Sequence, residues 1–275
     1  MGVMILIGTS GFSYKDWIGE FYPVGTKDGD MLRYYSVHFP AVELDFSYYT
    51  MPSIKTMAAL DRKTPDKFLF SIKAHKSMTH EIDPEMAKEA FNQFRAAIAP
   101  IIDARKLGCI LLQFPWGFKN TPENLDYIRR LPELLPGLPA VVEFRNKSWL
   151  VEGVFAVLQR EGLGFCAVDE PRLRGLIPPV VKVTSSISYV RFHGRNAEKW
   201  WKHTEPWERY DYLYSQEELN EWLPRIKHLD AIASVTFVFF NNCHAGHAVR
   251  NALMMQASLG LPSWRPSEVD NAPST

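Results

Sequence analysis

Short apolar runs rich in β-branched and aromatic residues recur eight times along the chain, over residues 4–8, 41–47, 67–73, 109–114, 140–145, 164–169, 188–193 and 235–242. Each ends in a polar or glycine-containing turn, which marks strands. The stretches between them carry apolar residues at helical spacing, several with start signals. Asp83-Pro84 supplies an N-cap and a first-turn proline to a helix continuing over 85–104. Thr121-Pro122-Glu123 opens a second helix, Ser148 a third, and Ser215 with Glu218 forms a capping box for a fourth. Leu107-Gly108 and Leu163-Gly164 read as helix ends leading into strands. Strands alternating with helices imply parallel βαβ units. Eight of them predict an α/β fold, a single (β/α)8 TIM-type barrel with a parallel eight-stranded sheet. Segment 170–186, with Pro171, Pro178 and Pro179, predicts an irregular sixth crossover without a helix. No internal repeat, low-complexity tract or linker divides the chain. One barrel domain over residues 1–262 is expected, followed by a loosely held tail over 263–275 with Pro266 and Pro273.

Composition narrows the class. The 275 residues suit one such barrel, typically about 250 residues long. Lys and Arg number 31 against 31 Asp and Glu, with charged residues at 23%. This balance argues against a disordered chain and a broadly basic nucleic-acid coat, leaving a local basic patch open. Three widely spaced cysteines, Cys109, Cys166 and Cys243, make no disulfide framework. Residues 1–8 are apolar but short, without a basic leader or small-residue cleavage site, and read as a strand. No apolar run reaches the ~18 residues of a membrane span. A soluble, cytoplasmic protein with no membrane partner is expected.

Alternation along the strands sorts the charges. Side chains two apart share a face. Glu43 and Asp45 therefore oppose Val42, Leu44 and Phe46, while Ser71 and Lys73 oppose Phe68, Phe70 and Ile72. Glu143 and Arg145 oppose Val142 and Phe144, and Arg191 and His193 oppose Val190 and Phe192. Helices cover the outside of a barrel, so the charged faces are expected to point inward. Asp169, Gln113 and Asn241 end the sixth, fourth and eighth strands, and the charges gather at the strand C-termini, where barrel enzymes keep their chemistry. Two chemistries fit this set. Glu43, Glu143, Asp169 and His193, joined by Asp45, could ligate a divalent metal through oxygen and imidazole. Lys73, Arg145 and Arg191 speak against it, because they neutralise the same carboxylates and suit an anionic substrate. A closed ion-pair plug is the purely structural alternative. Cys243, His244 and His247 have no standard metal spacing and read as a loop.

The turns Gly8-Thr9-Ser10-Gly11 and Asn241-Asn242-Cys243-His244-Ala245-Gly246-His247 could offer backbone N–H groups to an anion. Aromatic residues, 13% of the chain, concentrate after strands: Phe12, Tyr14 and Trp17; Tyr48 and Tyr49; Trp116 and Phe118; Trp149; Trp200, Trp201, Trp207, Tyr210, Tyr212 and Tyr214. Some roof the barrel; others are placed to stack on a sugar or nucleobase.

The ordered blocks Ile7-Gly8-Thr9-Ser10-Gly11-Phe12-Ser13-Tyr14 with Trp17, Phe21-Tyr22-Pro23, Val42-Glu43-Leu44-Asp45 with Tyr48-Tyr49, Phe70-Ser71-Ile72-Lys73 with Thr79-His80, Leu107-Gly108 with Leu112-Gln113-Phe114-Pro115, Glu143-Phe144-Arg145 with Ser148-Trp149, Tyr189-Val190-Arg191-Phe192-His193-Gly194, and Phe239-Phe240-Asn241-Asn242 with Gly246-His247-Ala248 resemble the domain-of-unknown-function 72, or YecE-like, family. The resemblance spans nearly the whole chain. It implies a TIM-type barrel and carries no reaction with it. Two positions depart from the family pattern: Asp45 stands where Asn is usual, and Asn146 where His commonly follows Glu-Phe-Arg.

The expected function is an enzyme acting on a small anionic or sugar-like substrate, phosphorylated compounds included, by hydrolysis, isomerisation or lyase chemistry. Its catalytic set is Glu43, Asp45, Glu143, Asp169 and His193, with Glu43 or Glu143 as an acid/base of raised pKa. Its anion-binding pocket is built from Ser10, Tyr14, Lys73, Gln113, Arg145, Trp149, Arg191, Asn241 and Asn242. The alternative is a nucleotide or nucleic-acid module using the Arg/Lys mouth and the aromatic loops.

Overall fold

The structure, a computed structural model, describes residues 4–266. Its eight strands are β1 (Ile5–Thr9), β2 (Ala41–Leu44), β3 (Leu69–Lys73), β4 (Leu107–Gln113), β5 (Ala140–Glu143), β6 (Gly164–Asp169), β7 (Ile187–Phe192) and β8 (Val235–Phe240). They form one parallel sheet in the order β1-β8-β7-β6-β5-β4-β3-β2. The seam between β1 and β2 is joined by a bridge between Ser10 and Glu43, where the Gly11 N–H donates to the Glu43 carbonyl at 2.7 Å. The result is a nearly closed TIM-like barrel. Around it run α1 (Asp28–Ser36), α2 (Phe46–Tyr49), α3 (Ile54–Asp61), α4 (Ala87–Asp103), α5 (Pro122–Leu134), α6 (Glu152–Arg160), α7 (Gln216–Asn220), α8 (Leu223–Asp230) and α9 (His247–Leu259). No helix joins β6 to β7, in keeping with the prolines there.

Two of the start signals work as expected. Thr121 Oγ1 accepts the Asn124 N–H at 3.3 Å with Pro122 opening α5, and Ser215 and Glu218 cap α7 reciprocally. Two act elsewhere. Asp83 accepts the Glu85 N–H in a turn ahead of α4, which starts at Ala87. Ser148 lies in a 3-10 turn and accepts the Asn120 N–H at 3.0 Å, tying two loops together, while α6 starts at Glu152. Leu107 and Gly108 belong to β4 rather than to a helix end. A Cβ on Gly108 would stand 2.7 Å from the Phe237 ring, so that glycine serves the packed barrel interior. The turn after α6 is made by Gly162, at φ +68°, not by Gly164.

The core has two layers. Phe192 and Phe240 stack outside the sheet, centroids 4.5 Å apart, with Trp222 edge-on against Phe192. Inside, Tyr189 packs on Phe237 and Phe239, closing the bottom of the barrel beneath the charges. At the C-terminal end, Trp264 Nε1 donates to the Ser36 carbonyl at 2.8 Å, so the chain is pinned to α1 there. Residues 267–275 of the expected tail lie outside the described residues.

Candidate functional site

Alternation on β2, β5 and β7 brings Glu43, Glu143, Arg145, Arg191 and His193 together inside the barrel. Arg191 spans the two carboxylates, with Nη2 donating to Glu43 Oε1 at 2.6 Å and Nη1 to Glu143 Oε2 at 2.8 Å. The second Glu43 oxygen accepts from Tyr189 Oη at 2.6 Å, and Ser71 Oγ lies 2.7 Å from the same hydroxyl. Arg145 pairs with Glu143 through Nε at 2.5 Å and with Glu170 through Nη1 at 3.2 Å. His193 Nε2 lies 3.1 Å from Glu143 Oε1, and Asn241 Nδ2 lies 3.1 Å from His193 Nδ1.

Charge states follow from this packing. Burial alone would raise Glu143, but the guanidiniums of Arg191 and Arg145 and the hydrogen bond from His193 hold it well below the usual carboxylate range. The expectation of a raised, proton-holding Glu143 is therefore reversed: each carboxylate is crowded by cations, not by other carboxylates. Burial and the Arg145 charge push His193 down to about 3, so the ring is neutral at physiological pH. Its Nδ1 accepts from Asn241 and its Nε2–H donates to Glu143, which leaves it no lone pair for a substrate proton. Glu43, Glu143 and His193 are all fully buried, and none of them lines the mouth cavity.

Above this array the barrel mouth opens into a cavity of about 530 Å³. Arg145, Arg191, Lys73 and Asp45 make its polar wall, Asn241 and Cys243 lie alongside, and Tyr14, Tyr49, Trp207 and Tyr210 supply rings. Lys73 Nζ is held by Asp45 Oδ1 at 2.7 Å and sits 4.5 Å from the Tyr48 ring centroid. Burial raises the Asp45 carboxyl, and Lys73 and Arg191 more than reverse this, so it is ionised. A second lobe of about 240 Å³ adjoins the first through Lys73, Arg145, Tyr49 and Tyr210, and adds Gln113, His80, Arg209 and three tryptophans. Burial pushes the Cys243 thiol up to about 12, so it remains protonated.

Other expected site residues lie apart. Asp169 faces outward from β6, where its carboxylate accepts from Arg195 Nε and Nη2, Tyr214 Oη and Trp222 Nε1. Trp149 is buried in a stack with Phe144 and Phe118, its Nε1 donating to the Phe118 carbonyl. Asn242 donates to the Tyr212 carbonyl and to Asn251, behind the mouth. Ser10 is buried in the β1–β2 seam, and its carbonyl accepts from Tyr14 Oη. Several of the turn N–H groups are spent within the protein: that of Ser10 goes to the Phe240 carbonyl of β8, that of Gly11 closes the β1–β2 seam on Glu43, and that of Ala245 goes to Asp16. The proposed metal set does not converge either. Arg191 stands between Glu43 and Glu143, Arg195 occupies Asp169, and no three His, Cys, Asp or Glu among the described residues are grouped to hold a cation.

Four groups at or beside the mouth escaped the reading of strand ends: Asp16, His80, Glu170 and Arg209. Glu170 shares the parity of Cys166, whose Sγ reaches Glu143, and that parity was the available signal. Burial raises Glu170 to about 7 despite Arg145 beside it, and its Oε1 accepts the Ile177 N–H at 2.9 Å.

A family model described as "Protein of unknown function DUF72" matches residues 6–274. The UPF0759 protein YunF of Bacillus subtilis is 35% identical over 272 residues, covering 94% of this chain and 95% of that protein. A solved DUF72 family protein from Thermotoga maritima superposes with a TM-score of 0.85 at 41% identity, covering 94% of this chain and 99% of its own. One from Enterococcus faecalis gives 0.85 at 28% identity, covering 97% and 100%.

Proposed function

Because the chain belongs to the DUF72 family, whose name assigns no reaction, we propose a function from the chemistry of the barrel mouth: an enzyme that takes a small anionic, sugar-like substrate and acts on it by proton transfer beside the anionic group. One observation supports this reading above the others. Arg145 and Arg191 reach the cavity wall, while the carboxylates that hold them, Glu43 and Glu143, are fully buried and off that wall. Positive charge is thus fixed in advance toward the space where negative charge would develop, and no reorganisation is needed during reaction. A simple plug would not leave guanidiniums lining an open cavity.

Lys73 supplies the movable proton, since its ammonium lies on the wall shared by both lobes. Asp45 is a positioning residue: the Asn usual in the resembling family would accept the same hydrogen bond from Lys73. Glu43, Glu143 and His193, expected from sequence as acid or base, become the rigid backing of the guanidiniums.

A turnover survey tests this reading. Phosphorylated and carboxylated sugars and polyols are incubated with the protein in deuterium oxide and followed by proton NMR, which reveals isomerisation, hydrolysis, elimination and silent exchange alike. At least one compound should react, and Lys73→Met should lower kcat at least 100-fold with thermal melting unchanged. A wild type that binds members of the panel yet converts and exchanges none of them overturns the enzyme reading.

A further inference from the structure

The two lobes of the mouth differ in chemistry. The smaller is lined by three cationic side chains, Lys73, Arg145 and Arg209, and by no Asp or Glu. Arg209 differs from the other two. Among the described residues no carboxylate lies within ion-pair distance of it, and its buried Nε has no hydrogen-bond partner. Its guanidinium is instead held by ring faces, 5.5 Å from the Trp200 centroid and 5.9 Å from Tyr210. A cation fixed by aromatic faces in a lobe without carboxylates is one whose counter-charge is not supplied by the protein. Neutral His80 completes this lobe, since burial and the Lys73 and Arg145 charges push it down to about 4.

The larger lobe is built differently. Asp16 and Asp45 bring carboxylates and Asn241 an amide, groups that pair with hydroxyls. Trp207, stacked on His244 with centroids 4.2 Å apart, presents a broad ring half-exposed at the edge of the same lobe. Its volume of about 530 Å³ lies within the range of about 300–1,000 Å³ usual for small-molecule sites. Carboxylates and an amide beside an indole suit a cyclic polyol, whose hydroxyls bind the polar groups while its C–H face covers the ring.

We propose that the mouth is a two-part site for a monophosphate ester of a cyclic sugar, with the phosphoryl group among Lys73, Arg145 and Arg209 in the smaller lobe and the sugar ring against Trp207, Asp16 and Asn241 in the larger. The assignment rests on the mouth being the substrate site, as proposed above, and names the substrate class. The ester bond then crosses the wall shared by the two lobes, beside Lys73, which is where proton transfer to or from the substrate takes place.

Calorimetric titration with glucose, inorganic phosphate, glucose 6-phosphate and ribose 5-phosphate tests the assignment without requiring turnover. At least one ester should bind 30-fold or more tighter than glucose and than inorganic phosphate, because it fills both lobes. Arg209→Ala breaks no ion pair and should weaken phosphate and ester about tenfold each. Trp207→Ala should weaken the ester about tenfold and leave phosphate within twofold. Phosphate binding should also move the His80 titration upward from about 4, read by NMR. Esters that bind no tighter than inorganic phosphate, or an Arg209→Ala protein with unchanged affinities, overturn the two-part assignment. The turnover survey is read independently, so the enzyme reading stands or falls separately.

Discussion

The Asn241 side-chain amide donates to Nδ1 of His193 across 3.1 Å, and this contact fixes the ring proton on Nε2, facing Glu143. A histidine at the end of a barrel strand looks like a general base. Here the neutral ring is used up as a link between an amide and a carboxylate.

His193 should therefore show no titration between pH 5 and 8. Long-range ¹⁵N–¹H NMR is expected to give the Nε2–H neutral pattern throughout that range, in agreement with a value of about 3. A midpoint near 6.5 would contradict the assigned tautomer and restore the ring as a candidate base.

Asp169 carries stability rather than chemistry. Its carboxylate accepts four hydrogen bonds from Arg195, Tyr214 and Trp222, so Asp169→Ala takes the acceptor from the buried Trp222 indole N–H and Tyr214 hydroxyl, while Arg195 keeps Glu218 and Glu221. With two buried donors left unsatisfied, the cost should be about 2–4 kcal/mol in urea unfolding. Phosphate affinity of the folded variant should stay within twofold of wild type. A stable variant with lost affinity would return Asp169 to the site.

Glu170 gives stability a distinctive pH dependence. Its folded value of about 7 exceeds the ordinary 4.5, so the folded state holds a proton that the unfolded chain releases. The stability this contributes is complete below 4.5 and is lost as pH rises to 7. His193 and His80 act oppositely: their folded values of about 3 and about 4 lie below 6.5, so their contribution is complete above 6.5 and lost as pH falls. Glu170→Gln removes one of these opposed trends. Relative to wild type it should gain up to about 1.4 kcal/mol per pH unit between 4.5 and 7. Urea unfolding at pH 5, 6 and 7 checks this; parallel stability profiles would refute it.

The contrast between Asp169 and Glu170 marks how far the sequence was legible. On β2 and β5 one face is charged and the other wholly apolar, and on β7 only Ser188 interrupts the apolar face, so parity alone placed Glu43, Glu143, Arg145 and Arg191 inside the barrel. On β6 the faces are Phe165, Ala167 and Asp169 against Cys166, Val168 and Glu170, and neither declares itself. Arg195, Tyr214 and Trp222, all distant in sequence after β7, draw Asp169 outward. The eight strands were legible for a related reason: an all-parallel sheet is covered by helices, so its strands are apolar runs between amphipathic stretches. The loop aromatics were not separable. Trp149 and Tyr214 are buried because Phe118 and Asp169 satisfy their polar atoms, whereas Trp116, Trp201 and Trp207 remain exposed. Arg209 and His80 lie beyond strand ends, and their approach depends on how the long 193–215 segment folds back.

Exposed Trp116 and Trp201 could also stack on bases, which makes salt dependence informative. A small-substrate pocket should give a log K against log salt slope of about −1 to −2 for glucose 6-phosphate, and no specific complex with a single-stranded oligonucleotide. A contact with six to ten phosphates would give a slope steeper than about −4. A tight oligonucleotide complex with such a slope would favour the nucleic-acid alternative.

Calorimetric phosphate titration of Lys73→Met and Asp45→Asn beside wild type tests most directly whether the cations of the mouth are held ready for a substrate anion. The two side chains form one ion pair, 2.7 Å long, yet they act in opposite directions on an incoming anion. Lys73→Met should weaken phosphate at least tenfold. Asp45→Asn keeps the hydrogen bond, removes one negative charge from the wall, and should tighten phosphate about three- to tenfold. Phosphate that fails to bind wild type, or two variants that shift its affinity in the same direction, would contradict the account.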